Sequence, residues 1–120
     1  MEDREQVEAA ILKYFEALNI DDASDVPLAK NVEYHGMFSP EPISGDIDVR
    51  DYIQQIAPFM LNENYSKMIV EDGSVAVMAE FDSVNGIHNE GAFFFEVEQG
   101  NIKRVKAVFD TRRMFEGKSS

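Results

Sequence analysis

The chain has no cysteine. Disulfides and thiolate metal sites are therefore excluded, a composition that suits a reducing compartment. No apolar run approaches the ~18 residues that a membrane-crossing helix requires. Bases are scarce: 11 lysines and arginines stand against 23 aspartates and glutamates, for a formal net charge of -12. That balance argues against nucleic acid as a partner, because a phosphate backbone requires a basic face. The two basic concentrations, Lys103-Arg104 with Lys106 and Arg112-Arg113, are short and read as solvated strand edge and intrachain pairing. The acidic excess implies solubility and mutual repulsion. The opening Met1-Glu2-Asp3-Arg4-Glu5 lacks the basic and then apolar pattern of a secretory leader, so the expected location is cytoplasmic. A phosphate loop, a dinucleotide fingerprint and a nucleophile elbow are all missing, so no cofactor is expected.

What remains is one domain, expected over residues 1–115 with a loose tail at 116–120. A chain of this size buries roughly two thirds of its unfolded surface, enough for a core without staples. Val7, Ile11, Tyr14, Phe15 and Leu18 share one helical face. Asp3 is the expected N-cap, with Gln6 as its capping-box partner. The helix is expected to end near Asn19 to Asp22, with a short helical turn over Ala23 to Ala29. Asn31 to Met37 alternates as a strand, with Val32, Tyr34 and Gly36 on one side and Glu33 and His35 on the other. A proline loop, Ser39-Pro40-Glu41-Pro42, leads to a second helix carrying Val49, Tyr52, Ile53, Ile56 and Met60. Asp46 or Asp48 is its expected cap, and Pro58 ends or kinks it near Ala57.

From Tyr65 to Asp110 three Gly-bearing turns, Asp72-Gly73, Asn85-Gly86 and Gln99-Gly100, punctuate β-rich stretches. Such turns supply the positive φ of tight hairpins, so four strands in an antiparallel meander are expected. Val75, Val77, Ala79, Phe81, Phe93, Phe95, Val97, Val105, Ala107 and Phe109 fall on the face that packs on the helices. The opposite face carries Met78 and Phe94 among charges, and a second copy of the chain is the simplest cover for it.

The order helix, short helix, strand, helix and curved meander resembles the nuclear transport factor 2-like superfamily, in its SnoaL-like and ketosteroid isomerase-like branch. The resemblance covers nearly the whole chain. It is carried by Lys13-Tyr14-Phe15-Glu16-Ala17-Leu18 with Asp21-Asp22, by Val32-Glu33-Tyr34-His35-Gly36 with Pro42-Ile43-Ser44-Gly45, and by Ile102 through Val108-Phe109-Asp110-Thr111. It implies an α+β fold in which a cone-shaped, curved antiparallel sheet wraps around N-terminal helices (cystatin-like); the apolar groups on the uncovered face of that sheet make a homodimer the expectation. The resemblance also implies a small, mostly apolar molecule bound in the cone. The chemistry it suggests is cofactor-independent acid/base work by an isomerase, cyclase or hydrolase. The alternatives are a non-catalytic binding module and a structural dimer with a filled cavity.

Candidate residues follow. His35 and Asp110 are the expected proton-transfer groups, Tyr14 and Tyr34 the orienting hydroxyls, and Phe93 and Phe109 the walls around a substrate. Each has a plainer reading. His35 alternates away from Val32 and Tyr34 and can face solvent; Asp110 can cap the turn at Thr111-Arg112 or pair with Arg113. The buried phenols can bond within the core. The resemblance to ketosteroid isomerases holds at Tyr14 but fails at Phe93, where an acid would stand, so that reaction is rejected. The epoxide hydrolase pattern would place an asparagine near Gly36, which has no side chain to hold a water. His88 and Glu90 share a strand face, but spacing shows no third ligand, so no metal is expected.

Overall fold

A computed structural model of the protein describes residues 2–110. The element order is helix α1 (Arg4–Ile20), strands β1 (Leu28–His35) and β2 (Ile43–Ser44), helix α2 (Asp46–Ile56), then β3 (Leu61–Glu71), β4 (Ser74–Asp82), β5 (His88–Glu98) and β6 (Asn101–Phe109). The expected tail at 116–120, and the residues Thr111, Arg112 and Arg113 considered beside Asp110, lie outside the described residues.

Helix α1 begins as its sequence dictates. The Asp3 carboxylate accepts from the backbone N–H of Glu5 at 2.9 Å and of Gln6 at 3.4 Å. The reciprocal bond from the Gln6 side chain is absent among the described residues; that amide instead lies against Gly100. Glu2 fastens the helix start to two hairpin turns. Its N–H donates to Asp72 at 2.6 Å, and its carboxylate accepts from the N–H of Gln99 at 2.8 Å.

The short helical turn expected over Ala23 to Ala29 does not form. Extended backbone begins at Leu28, just after Pro27. The reason lies on α2. Arg50 Nη1 donates to the carbonyls of Ala23, Ser24 and Val26 at 2.6, 3.2 and 2.9 Å. One turn later Gln54 donates to the Asp21 carbonyl and accepts from the Ala23 N–H. These side chains satisfy the backbone groups that a helix would have paired internally. Helix α2 differs at its start too. Its N-cap is Gly45, at φ 94°, with no side-chain cap; Asp46 and Asp48 sit in the first turn, where their charge favours the helix dipole. Pro58 ends it as expected, in a 3-10 turn over Ala57–Phe59.

The sheet has six strands in the order β2-β1-β6-β5-β4-β3, and it curves without closing. The last four strands form the antiparallel meander, while β1 joins β6 in parallel, with Tyr34 beside Val105 and His35 beside Lys106. The short strand β2, between the proline loop and α2, adds to the edge of β1 through Tyr34 and Ile43. The faces alternate as the pattern requires. Val75, Val77, Phe81, Phe93, Phe95, Val97 and Val105 are buried against α1 and α2, whereas Met78, Phe94 and Val108 are exposed.

The first meander strand is longer than expected and irregular. Its pairing with β4 shifts between Leu61 and Asn64 and again between Tyr65 and Lys67. At the first shift Asn62 adopts φ 53°, the left-handed conformation of a bulge. Bulges re-aim side chains, and the residue re-aimed here is Glu63.

Candidate functional site

Helix α1 lays Tyr14 and Phe15 on the concave face of the sheet. Tyr14 packs edge-on against Phe15, Phe93 and Phe95, with ring centroids 5.4, 5.6 and 5.2 Å away. Strand β1 brings Tyr34 to the same place. The Tyr14 and Tyr34 hydroxyl oxygens lie 2.5 Å apart, in a pair wholly out of solvent. One of the two phenolic protons lies in that bond, and the other is left to donate onward. Burial raises both phenols above their ordinary range. Tyr14 is raised further by Tyr34 and by the charge on Glu63, while the bond between the phenols pulls Tyr34 back down. Both are neutral donors at physiological pH.

Tyr52, on α2, packs its ring against Tyr34 at 5.0 Å. Its hydroxyl oxygen is buried and makes no well-formed hydrogen bond. Burial raises this phenol as well, and the backbone of Phe38 opposes the rise. Gly36 makes room for it: a Cβ there would stand 2.3 Å from the Tyr52 oxygen and 3.0 Å from the Tyr34 ring.

The acidic member of the cluster is Glu63. It is 6 % exposed, and neither carboxylate oxygen has a hydrogen-bond partner. Burial alone pushes its carboxyl up to about 8. A buried charge without a partner is costly, so the group shifts toward its neutral form instead. Glu63 was not among the residues singled out from the sequence. The signal was present: two residues before the inward Tyr65, it shares Tyr65's side of a strand. Starting the strand at Tyr65 hid it.

Four of the expected site residues come together. Tyr14, Tyr34 and Phe93 form one cluster, and Phe109 adjoins it with its ring 5.4 Å from Phe93 and 5.3 Å from Phe81. The other two lie elsewhere. His35 is on the opposite side of β1, with its Nε2 on the Glu33 carboxylate. With Lys106 and the Ser39–Pro42 loop it lines a shallow cavity of about 230 Å³. Asp110 follows the end of β6 and is exposed.

On the outer face the sheet supplies the third candidate ligand that spacing along one strand could not show. Glu80 pairs with Glu90 across β4 and β5, and their carboxylates flank His88 at 3.4 and 4.0 Å. The other ring nitrogen of His88 faces Asp82 at 2.9 Å, and that bond raises the imidazole above its usual range. Glu80, His88 and Glu90 thus offer ligand atoms within 4.8 Å of one another on the outer face, with Asp82 holding the ring through its other nitrogen.

No family model and no curated protein matches the chain. Solved structures do. A steroid delta-isomerase from Pseudomonas aeruginosa superposes with a TM-score of 0.79 at 12% identity, over 93% of this chain and 85% of that one. An LEH-like epoxide hydrolase from M. tuberculosis gives 0.76 at 17% identity, over 94% and 89%. An NTF2-like protein of unknown function from Cytophaga hutchinsonii gives 0.74 at 20% identity, over 92% and 95%. The chain therefore has the nuclear transport factor 2-like fold, an α+β cone with a curved, open sheet. At these identities the likeness extends to the fold and no further.

Proposed function

We propose that the concave face takes up a small, mostly apolar molecule and that Glu63 exchanges a proton with it. The observation that carries this reading is the Glu63 carboxyl, buried without a partner among aromatic rings and poised near pH 8. General acid/base catalysis works best when the group titrates near the working pH. The Tyr14–Tyr34 pair supplies the second element, a neutral hydroxyl donor for an oxygen that gains negative charge. Among neighbours of the same fold are a steroid isomerase and an epoxide hydrolase, which supports small-molecule chemistry in such a cone.

The test is a screen in D2O. Small cyclic ketones, enones, epoxides and amino ketones are incubated with the protein, and deuterium uptake or ring opening is read by NMR. The expected activity rises with pH to a plateau above about 8, following the Glu63 carboxyl, and is lost in Glu63→Gln. Activity that survives that substitution unchanged removes Glu63 from the reaction.

A second reading has its own observation. Tyr14, Tyr34, Phe93 and Phe95 are each at most 1% exposed and pack ring against ring. That density favours a non-catalytic binding module, or an interior filled by its own side chains. Binding without turnover across the screen would select the former.

We further propose a homodimer through the outer sheet face, in the cytoplasm. Ile69, Met78, Phe94 and Val108 are each 45 % exposed or more, and strand register makes them neighbours. Contiguous apolar surface of this kind marks an interface. The absence of cysteine suits the reducing compartment, and among the described residues no helix is long and apolar enough to cross a membrane.

A further inference from the structure

We propose that Glu63 and Asn89, on either side of Phe81, form a subsite for the protonated amine of a small, otherwise apolar molecule. This rests on the reading of the concave face as a ligand site and names the polar end of the ligand. The register sets the placement. Asn89 pairs directly with Phe81, and the bulge at Asn62 leaves Asn62 and Glu63 together opposite Phe81 on its other side. Neighbouring strands lie ~4.8 Å apart, so the two backbones are ~10 Å apart on a concave surface, within the joint reach of their side chains.

The subsite offers acceptors only. The Asn89 amide nitrogen is spent on the carbonyls of Ile87 at 2.9 Å and Phe81 at 3.5 Å. Its Oδ1 is buried with no partner, as are both Glu63 oxygens, and the two residues are 4 % and 6 % exposed. Three unpaired acceptors in one region are unusual, since buried polar groups are nearly always bonded. Among the described residues no buried base accompanies them. The buried polar or charged residues among those described are Glu63, Ser83 and Asn89. An ammonium group has three N–H donors and no acceptor, the complement of this set. The Phe81 ring, with Phe109 at 5.3 Å, adds aromatic surface that favours a cation, and the net charge of -12 attracts one. A neutral alcohol offers one donor and brings an acceptor of its own, so it leaves the set incompletely matched.

Binding an ammonium requires Glu63 to ionise, and this couples affinity to pH. Among the described residues, the groups facing Glu63 are few. Helix α1 contributes Tyr14, which stays neutral in this range, β4 and β5 contribute Phe81 and Asn89, and the 3-10 turn Ala57–Phe59 carries nothing ionisable. Below the Glu63 value of about 8, each bound amine therefore displaces one proton from the protein.

Titration calorimetry with 2-phenylethylamine and its neutral analogue 2-phenylethanol tests this, at pH 6, 7 and 8 in two buffers of different ionisation enthalpy. The amine is expected to bind at least tenfold more tightly than the alcohol at pH 8. Its affinity should fall about tenfold per pH unit below that, with close to one proton released per amine at pH 7. Glu63→Gln should abolish the amine-over-alcohol preference and the proton release, and Asn89→Leu should weaken the amine more than the alcohol. Thermal melting establishes that each variant is folded. Equal binding of amine and alcohol, retention of the preference in Glu63→Gln, or no binding of either overturns the proposal. Alcohol binding, or deuterium uptake by a neutral ketone, without amine preference would overturn the amine subsite and leave the ligand site standing.

Discussion

Glu63 makes a prediction about stability that needs no ligand. Its carboxyl titrates at about 8 in the folded protein and near the ordinary 4.5 in the unfolded chain. Between those values the folded state holds a proton that the unfolded state has given up. Stability therefore falls as pH rises through this window, at up to about 1.4 kcal/mol per unit. By pH 7 the accumulated loss is roughly 3 kcal/mol, a large part of the ~5–15 kcal/mol available to a domain of this kind. Glu63→Gln keeps the shape and removes the titration. At pH 5 the protein and variant are expected to be nearly equal, because a protonated glutamic acid and a glutamine have similar size and polarity. At pH 8 the variant is expected to be more stable by about 2–4 kcal/mol, after allowing for an amide left partly unpaired. Urea denaturation at pH 5, 6, 7 and 8 measures this. The difference between the two proteins isolates Glu63, since the exposed His88 and the other carboxylates titrate alike in both. Parallel stability curves across that range would refute the argument, and would show that water or a partner group solvates the carboxyl in the folded state.

Three further outcomes are expected. Phe93, wholly buried among Tyr14, Phe15, Phe95 and Phe109, should cost ~3–5 kcal/mol when cut to alanine; a loss under ~1 kcal/mol by chemical denaturation would reverse the assignment of the sheet's inner face. Phe94→Asp should turn a dimer into monomers in sedimentation at micromolar concentration, and a wild-type protein that is already strictly monomeric would remove the proposed interface. Gly36→Ala drives a methyl group into the Tyr52 hydroxyl, held in place by the Tyr34 ring, and should destabilise by ~1–3 kcal/mol. Combining it with Tyr52→Phe should recover part of that loss, and strict additivity of the two changes would show that they do not touch.

The fold was legible because its determinants are local. The spacing of Val7, Ile11, Tyr14, Phe15 and Leu18 is a helix period, and the Gly-bearing turns with alternating Val75 to Phe81 and Phe93 to Val97 are a meander whose inner face follows from parity alone. The same parity put Tyr34, Phe93 and Phe109 on the concave side, and the helix period turned Tyr14 toward them. What failed locally failed to a distant partner. No propensity argument over Ala23 to Ala29 contains the Arg50 guanidinium that holds its carbonyls in an extended path. The third candidate ligand beside His88 and Glu90 is Glu80 on the neighbouring strand, so the group exists only once β4 and β5 are in register. Glu63 is the clearest case. Only its parity with Tyr65, two residues on, marks a glutamate in Leu61-Asn62-Glu63-Asn64 as inward, and most glutamates face water. Its charge state is set by a bulge that aims it inward and by burial among the rings of the concave face. Those are properties of three-dimensional neighbours, and a carboxyl's acidity depends on them far more than on the residues beside it in the chain.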